Sequence, residues 1–284
     1  MTPDGPRVLL LLSGGGAKAA AHVGALRALA ELGLEPAHLV GTSMGGVMGA
    51  CYAAGMSPDA ILARIGEVGA MGIVRAPLAP WAGLRLRSLL QGAPLRRAIE
   101  ALVPARSFDQ LTLPLAVTAV DLDSGALVTF GAGGRAMPLV DALWASCALP
   151  VYYPPVTLGG RRYADGGLRG VVPFAAAEGI AADVAVAVDI GPGFDEADSG
   201  GARPRPPLIA QHDAATGILM AQVTRCELAL WRATPGRPPL VYVRPCVERE
   251  ATFRVERAAA YAEEGYRATA AALAGCDALR ARRS

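Results

Sequence analysis

The sequence predicts an α/β protein with three layers, α/β/α, in which helices cover both faces of a mainly parallel central sheet. Short, wholly apolar runs alternate with helix-like runs, and glycines mark the turns between them. Strands that are apolar throughout are typical of parallel sheets, because helices bury both of their faces. At 284 residues and 52% hydrophobic content, the chain is long enough for one sizeable domain with a large core.

The first elements follow from the apolar pattern. Residues 7–12 predict a buried strand, residues 13–16 a tight loop, and residues 17–32 a helix that ends at Gly33. A second strand is predicted at residues 37–40. Near the C-terminus we predict a strand at 240–243 between two helices at 210–231 and 250–273, all packing on the main sheet.

One motif predicts a catalytic nucleophile. The sequence Gly41-Thr42-Ser43-Met44-Gly45 places a serine between two glycines, just after the second apolar run and just before a helix-like run. This is the layout of a nucleophile elbow, a sharp strand-to-helix turn that holds the middle side chain out at the tip of a sheet. The glycines remove side chains that would collide with neighbouring backbone. For these five residues alone, an ordinary turn is the alternative.

The loop Ser13-Gly14-Gly15-Gly16 predicts an anion site. Three glycines at a helix N-terminus leave backbone N–H groups unobstructed, and the helix dipole favours negative charge there. If the loop lies beside Ser43, the anion is the oxygen of a tetrahedral intermediate and the three glycines form an oxyanion hole. Lys18, in the first turn, either adds positive charge or is simply solvated.

The same loop also fits a nucleotide-binding interpretation. Gly14, Gly16 and Ala19 satisfy the loose dinucleotide fingerprint between a strand and a helix. That fingerprint requires an acidic residue after the second strand, where this chain has the Ser43 motif instead. A Walker-type loop is disfavoured too, because Ala19 follows Lys18 where a serine or threonine should hold magnesium. A nucleotide cofactor is therefore the weaker hypothesis.

A third motif, Asp165-Gly166-Gly167, follows a predicted hairpin at residues 159–160. By itself, an aspartate before two glycines is equally typical of a turn. In combination with the two upstream motifs, it supplies the acidic group of a hydrolytic site.

Together the three motifs resemble the patatin-like phospholipase family, over about residues 8–190. The segments 113–122, 145–155 and 183–189 are similar to the family's central strand, the segment leading to its aspartate and a late buried strand. The resemblance implies that Ser43 is the nucleophile, Asp165 is its base and the backbone of Gly14, Gly15 and Gly16 is the oxyanion hole, with motif support from Lys18, Gly41, Gly45, Gly166 and Gly167. Two departures are Ala19, where glycine is usual, and residues 169–171, where an asparagine-containing run is usual.

A serine hydroxyl needs a base, and the chain has three histidines. His22 lies in the first predicted helix, where packing or capping is its expected role, and His38 starts the second strand, where we expect a surface position. His212 follows Asp165 in the serine, acid, histidine order of α/β-hydrolases, but its surroundings predict the start of a helix. We therefore favour a dyad of Ser43 and Asp165 over a triad with His212.

The predicted dyad needs no metal and no cofactor. In a dyad the aspartate accepts the serine proton directly, which works best if partial burial raises its pKa. Asp121 and Asp123 stand beside Ser124-Gly125 and predict a turn, because no EF-hand ligand series surrounds them.

Charge and cysteine content narrow the function classes. A net charge of +2 and the lack of interleaved aromatic and basic residues argue against nucleic-acid binding. The five cysteines are scattered without C-x-x-C spacing, so we expect reduced core residues in a reducing compartment. With no secretory signal and no long apolar run, we expect a cytoplasmic protein, with peripheral contact at the inner membrane.

We predict a catalytic core at residues 5–195, a flexible loop at 196–207, and helices with a strand at 208–284 that pack on the same domain. Within the core, residues 67–107 are a candidate lid. Residues 71–81 are apolar and broken by prolines, residues 84–90 mix arginines with leucines, and Trp81 and the leucines would enter lipid. The arginines at positions 85, 87, 96 and 97 would meet phosphates. An ordinary amphipathic cover over the core is the alternative for this segment.

The expected function is therefore a serine acyl hydrolase that acts on lipid esters, of the phospholipase A or lysophospholipase type. A neutral-lipid, small-ester or thioester hydrolase with the same dyad is a close alternative. An alternative from another functional class is a lipid-binding module that does not hydrolyse its ligand, because residues 169–171 differ from the family's usual run.

Overall fold

The computed structural model describes residues 5–70, 88–193, 206–247 and 254–275, which form an eight-stranded mixed sheet with helices on both faces. The strands are β1 Val8–Leu12, β2 Pro36–Thr42, β3 Leu115–Asp121, β4 Leu127–Gly131, β5 Val156–Leu158, β6 Arg161–Asp165, β7 Val184–Val188 and β8 Leu240–Val243. The helices are α1 Ala20–Glu31, α2 Met44–Ala53, α3 Pro58–Ala70, α4 Gly92–Leu102, α5 Leu139–Ser146, α6 Pro207–Ala233 and α7 Ala258–Ala274.

Most of the sheet is parallel, which confirms the predicted fold class. Strands β3, β2, β1, β7 and β8 lie side by side in this order, and each neighbouring pair is parallel. Strands β4 and β6 pair antiparallel with β3, and β5 pairs antiparallel with β6. The hairpin predicted at residues 159–160 joins β5 to β6.

The apolar strands supply two cores, one on each face of the sheet. Leu10 and Leu12 of β1 pack with α1, α2, α3 and α7 on one face. The intervening Leu9 and Leu11 pack on the other face, where Trp231 of α6 contributes to the cover. Alternate side chains of a strand point to opposite faces, so a run of leucines is needed when both faces are buried.

Strand β3 brings the ends of two other strands together. Because β4 pairs along one edge of β3, β2 and β6 share the opposite edge. Thr42, the last residue of β2, pairs with Thr118, and Asp165, the last residue of β6, pairs with Ala119. Since β2 is parallel and β6 is antiparallel to β3, their C-terminal ends meet. Ser43 and Asp165 therefore lie side by side at this edge.

Several predicted boundaries differ from the structure. The helix predicted at residues 17–32 begins as a 3₁₀ turn at Gly16–Ala19 and becomes α1 only at Ala20, a common form of helix N-terminus. The second strand is longer than predicted, and the last predicted helix starts at Ala258.

Parts of the predicted lid and loop cannot be compared with the structure. Residues 71–87 of the candidate lid, which include Trp81, lie outside the described residues, as do residues 196–205 of the predicted loop. No helix within the described ranges combines the length and hydropathy needed to cross a bilayer.

Candidate active site

Ser43 occupies a strained turn between β2 and α2. Its backbone has φ 54° and ψ −131°, a conformation that is costly for a residue with a side chain. The flanking glycines permit this turn. A Cβ atom on Gly41 would lie 2.4 Å from the backbone of α2, and one on Gly45 would lie 2.4 Å from the carbonyl oxygens of Leu12 and Ser13. The sequence motif thus folds with the backbone geometry of a nucleophile elbow.

The Ser43 backbone and side chain are held from two directions. Its N–H donates to the hydroxyl oxygen of Ser146, which is fully buried at the end of α5, at 2.7 Å. Its hydroxyl is hydrogen-bonded to Asp165 and also contacts the Cys147 thiol. Ser43 itself is 8% exposed, so its hydroxyl lies at the bottom of a cleft rather than in open solvent.

Asp165 is a buried carboxyl group with a raised pKa. Burial is the main cause and raises the pKa from 3.8 to about 6, although hydrogen bonds from Ser43 and from the Gly167 N–H oppose the shift. The Gly167 N–H donates to Asp165 Oδ1 at 2.8 Å. Such a group is ionised at neutral pH and holds a proton more readily than an ordinary aspartate, as a general base requires.

Thr118 of β3 links the strand that precedes Ser43 to the loop that follows Asp165. Its hydroxyl lies 2.8 Å from the hydroxyl of Thr42, which precedes Ser43. The same hydroxyl faces Gly166, where a Cβ atom would lie only 2.4 Å from Thr118 Oγ1. This contact explains why glycine follows Asp165, and it fixes the spacing between the serine and the aspartate.

The glycine-rich loop lies beside Ser43, as the oxyanion-hole hypothesis required. A Cβ atom on Gly14 would be 3.3 Å from Ser43 Cβ. However, the Gly14 N–H donates to the carbonyl of Val171 at 3.0 Å, so it is not available to bind an oxyanion. The N–H groups of Gly15 and Gly16 have no acceptor among the described residues. Of the three N–H groups in the predicted oxyanion hole, those of Gly15 and Gly16 are therefore the two that stay available as donors.

A buried histidine anchors the same loop. Burial lowers the pKa of His22 to about 4, so its ring is neutral. Its Nε2 lies 2.8 Å from the Ser13 carbonyl oxygen, which makes Nε2 the protonated nitrogen. The Ser13 hydroxyl in turn accepts the N–H of Ile190 at 2.8 Å. His22 is thus a positioning residue of the loop, which goes beyond the packing role expected from sequence.

Two sequence expectations for basic side chains need correction. Lys18 is 3% exposed and lines the cavity beside Ser43, so it is not a solvated residue of the first turn. Arg96, which we expected to meet lipid phosphates, is paired with Asp141 at 3.1 Å and with Glu100. The remaining candidate-lid arginines, at 85 and 87, lie outside the described residues, while Arg97 is exposed on α4.

A large cavity opens above Ser43 and Asp165. Its volume is about 1210 Å³, larger than the roughly 300–1,000 Å³ of typical small-molecule sites. Its walls include the glycine loop and a long apolar stretch from α2, α3 and α4. The apolar side chains in that stretch are Met48, Leu62, Ile65, Val68, Leu95 and Leu102.

His212 lines this cavity but does not complete a triad. Its Nδ1 lies 3.4 Å from Asp213 and its Nε2 lies 3.4 Å from Thr216, all within α6. Neither ring nitrogen is hydrogen-bonded to Ser43 or Asp165. His38 is half-buried rather than at the surface, and burial lowers its pKa.

Asp121 and Asp123 are held in ion pairs, and the cysteines differ in exposure. Asp121, at the end of β3, pairs with Arg161 of β6 at 2.7 Å, and Asp123, in the turn after β3, pairs with Arg162 of β6. The described residues contain no cluster of three or more acidic, histidine or cysteine side chains suited to a metal ion. The expectation that all cysteines are core residues is wrong for two of them. Cys51 and Cys147 are buried, whereas Cys226 and Cys246 are exposed.

The residues that sequence reasoning missed are those that support the motif residues through contacts from distant parts of the chain. Ser146, Thr118 and Val171 each contact a motif residue from a distant part of the chain. Ser146 and Thr118 lie in the segments that resemble the family's approach to the aspartate and its central strand, and Val171 lies in the altered run 169–171. These were the available signals, but none of them indicates the contacts themselves.

Comparison with known proteins gives one family. The family model described as Patatin-like phospholipase matches residues 10–178. An uncharacterized NTE family protein of Mycobacterium tuberculosis is 32% identical over 232 residues, which are 82% of this chain and 59% of that protein. Patatin-like phospholipase domain-containing protein 7 of Rattus norvegicus is 30% identical over 200 residues, 68% of this chain and 14% of that protein. The chain therefore spans well under two thirds of the length of either relative.

One solved structure supports the fold. The crystal structure of VipD from Legionella pneumophila has a TM-score of 0.50 at 17% sequence identity, and the match covers 95% of this chain and 67% of that chain. At this identity the likeness concerns the fold alone.

Proposed function

The chain belongs to the patatin-like phospholipase family, and from this membership and the geometry of the site we propose that it is a serine acyl hydrolase that cleaves fatty-acyl esters of lipids. One observation carries the proposal. The hydroxyl of Ser43, at a strained strand-to-helix turn, is hydrogen-bonded to a buried aspartate whose pKa is raised to about 6. A hydroxyl in such a position is poised for attack, because an adjacent base can take its proton.

The reaction begins with proton transfer within the dyad. Ser43 attacks the ester carbonyl, and Asp165 takes the serine proton and gives it to the leaving alcohol. The N–H groups of Gly15 and Gly16 stabilise the oxyanion that forms. Asp165 then activates a water molecule, which releases the fatty acid and regenerates the free Ser43 hydroxyl.

The lining of the cavity supports a long-chain acyl substrate. Helices α2, α3 and α4 supply apolar side chains to the cavity that also contains the dyad, which suits a hydrocarbon chain. We assign the activity to the phospholipase A or lysophospholipase type within this class. We further propose that residues 5–195 carry the catalytic machinery and that the C-terminal residues 208–284 complete the same domain.

A substrate panel tests the proposal. Purified protein is given a phospholipid, a lysophospholipid and a short-chain ester, with a chelator present, and released fatty acid is measured. The Ser43→Ala variant is the matched inactive form, and Ser124→Ala, in the exposed turn after β3, is the control serine. We expect release that is lost in Ser43→Ala and kept in Ser124→Ala, and the order of the substrates identifies the subtype.

Two outcomes would contradict the proposal. One is undiminished release by the Ser43→Ala variant. The other is no release from any ester by protein shown to be folded, which would favour a lipid-binding module without turnover.

A further inference from the structure

Helix α6 packs against the rest of the protein along one narrow face. It runs from Pro207 to Ala233, 27 residues, and only Thr224 and Trp231 are buried. Trp231 packs against Phe174, with ring centroids 5.6 Å apart. The N-terminal half of the helix therefore lies on the surface of the molecule without a buried anchor of its own.

The inner side of this helix borders the proposed active site. It contributes part of the cavity wall. The α6 residues that line the cavity include Ala210, His212, Asp213, Thr216, Gly217 and Met220.

The outer side of α6 exposes large apolar side chains to solvent, where charged side chains are usual. Leu208, Ile218, Leu219 and Leu230 are 77%, 53%, 67% and 63% exposed, and they are the exposed large hydrophobic side chains of the described residues. Three of them, Leu208, Leu219 and Leu230, are eleven residues apart, which is about three helical turns. They therefore form a straight line along the helix, about 33 Å long at about 1.5 Å per residue.

No charged side chain interrupts this line. The exposed positions between the leucines on the same side are Gln211, Ala215, Gln222, Cys226 and Ala229. A helix whose outer face is only solvated normally carries charged residues there. Isolated apolar residues on a surface need no explanation, but a continuous apolar line indicates an interaction surface.

The acidic and basic side chains of α6 lie on different sides of the helix. Its two acidic residues, Asp213 and Glu227, point toward the body of the protein, where Asp213 bonds Tyr152 and Glu227 approaches Gly170. Arg225 and Arg232 are exposed on the flank of the outer surface beyond Ile218, away from the leucine line, and neither has a carboxylate partner among the described residues. The outer surface thus combines an apolar line with an unopposed basic flank.

We propose that this surface, the leucine line with Ile218, Arg225 and Arg232, docks α6 on an anionic phospholipid bilayer. The helix lies in the plane of the interface, with its leucines among the acyl chains and its arginines at the phosphates. This inference rests on the proposed function, because a lipid-cleaving site needs access to lipid. The inner face of the docked helix borders the cavity, so docking holds the site next to its substrate.

A flat bilayer fits this surface better than a second copy of the chain does. The apolar line is straight and narrow, and the charged side chains on the flank of the same exposed surface are of one sign. Anionic lipid head groups complement such a flank, with a contribution from each basic residue near the surface. A partner helix from a second copy would instead have to supply carboxylates, and the outer side of α6 has none.

The test is sedimentation of the 284-residue chain with vesicles of phosphatidylcholine and phosphatidylglycerol in equal parts. The Leu208→Gln/Leu219→Gln/Leu230→Gln variant keeps helix propensity and removes the apolar line. We expect it to bind vesicles about a hundredfold more weakly than the parent. The Arg225→Gln/Arg232→Gln variant should bind them at least about tenfold more weakly, with no change on pure phosphatidylcholine. Gln211→Ser, on the same face, is the control and should bind like the parent.

Hydrolysis of a water-soluble short-chain ester, measured in parallel, separates this proposal from the proposed function. The leucine variant should keep that activity and lose hydrolysis of vesicle lipid. If the parent cleaves no ester but still binds vesicles through the leucines, the proposed function fails and the docking surface stands. Vesicle binding unchanged in the leucine variant, no vesicle binding by the parent, or a parent dimer that the leucine changes convert to a monomer would each overturn the docking proposal.

Discussion

Asp165→Asn is expected to lower kcat/KM for ester hydrolysis by about 10³-fold or more, because the asparagine amide cannot accept the serine proton. The substitution preserves the shape of the side chain, and its oxygen can still accept the Gly167 N–H. A double variant with Ser43→Ala should be no worse than Ser43→Ala alone, since residues that act as a unit are not additive.

The same variant is expected to be more stable than the parent at neutral pH. The pKa of Asp165 rises from 3.8 to about 6 on folding because the charge is buried. Folding therefore has a free-energy cost above pH 6 that is relieved as the pH falls through 6 and is gone below about 3.8. A shift of this size corresponds to at most about 3 kcal/mol.

Urea unfolding at several pH values measures this effect. The quantity compared is the free energy of unfolding of Asp165→Asn minus that of the parent. This difference should be about 2–3 kcal/mol larger at pH 8 than at pH 4. Asp109→Asn, which removes a charge from an exposed carboxyl, is the matched control and should show no such trend. A variant that keeps full activity, or whose stability relative to the parent is independent of pH, would contradict the assignment of Asp165 as a buried base.

Gly45→Ala is expected to destabilise the protein by about 3 kcal/mol or more and to lower activity by about 10²-fold. The new Cβ atom would lie 2.4 Å from the carbonyl oxygens of both Leu12 and Ser13. Backbone atoms cannot rotate away as side chains can, so the elbow must move relative to the glycine loop. That movement separates Ser43 from the oxyanion donors.

The next residue provides the matched control. A Cβ atom on Gly46 would meet Leu143 Cδ2 at 3.4 Å, an ordinary contact. Gly46→Ala, inside α2, should therefore be stabilising by about 0.5–1 kcal/mol through helix propensity, with activity retained. Urea unfolding and ester hydrolysis of both variants check the contrast. Equal effects of the two substitutions would contradict the close approach at Gly45.

The sequence could predict the fold class and the motif residues because these depend on local patterns. A run such as residues 8–12 is apolar at every position only when both faces of a strand are buried, which indicated a covered parallel sheet. The elbow around Ser43 was predictable because its strained turn requires small residues at fixed offsets. Both patterns are set within a few residues of the chain.

The contacts that hold the site together were not predictable in this way. Whether Asp165 meets Ser43 depends on β6 and β2 sharing one edge of β3, a pairing of segments far apart in sequence. The Gly14 N–H looked available in sequence, but Val171 accepts it. The two alternatives for Lys18 stayed open in sequence, because position in a first turn says nothing about what covers the side chain.

The most direct test of the central claim, that Ser43 is a nucleophile activated by Asp165, is covalent labelling with an alkyl fluorophosphonate followed by intact-mass and peptide analysis. The account predicts a single adduct on the peptide that contains Ser43, no adduct in Ser43→Ala, and labelling at least about 10²-fold slower in Asp165→Asn. An adduct on another residue, equal labelling of Ser43→Ala, or no labelling of the folded parent would contradict it.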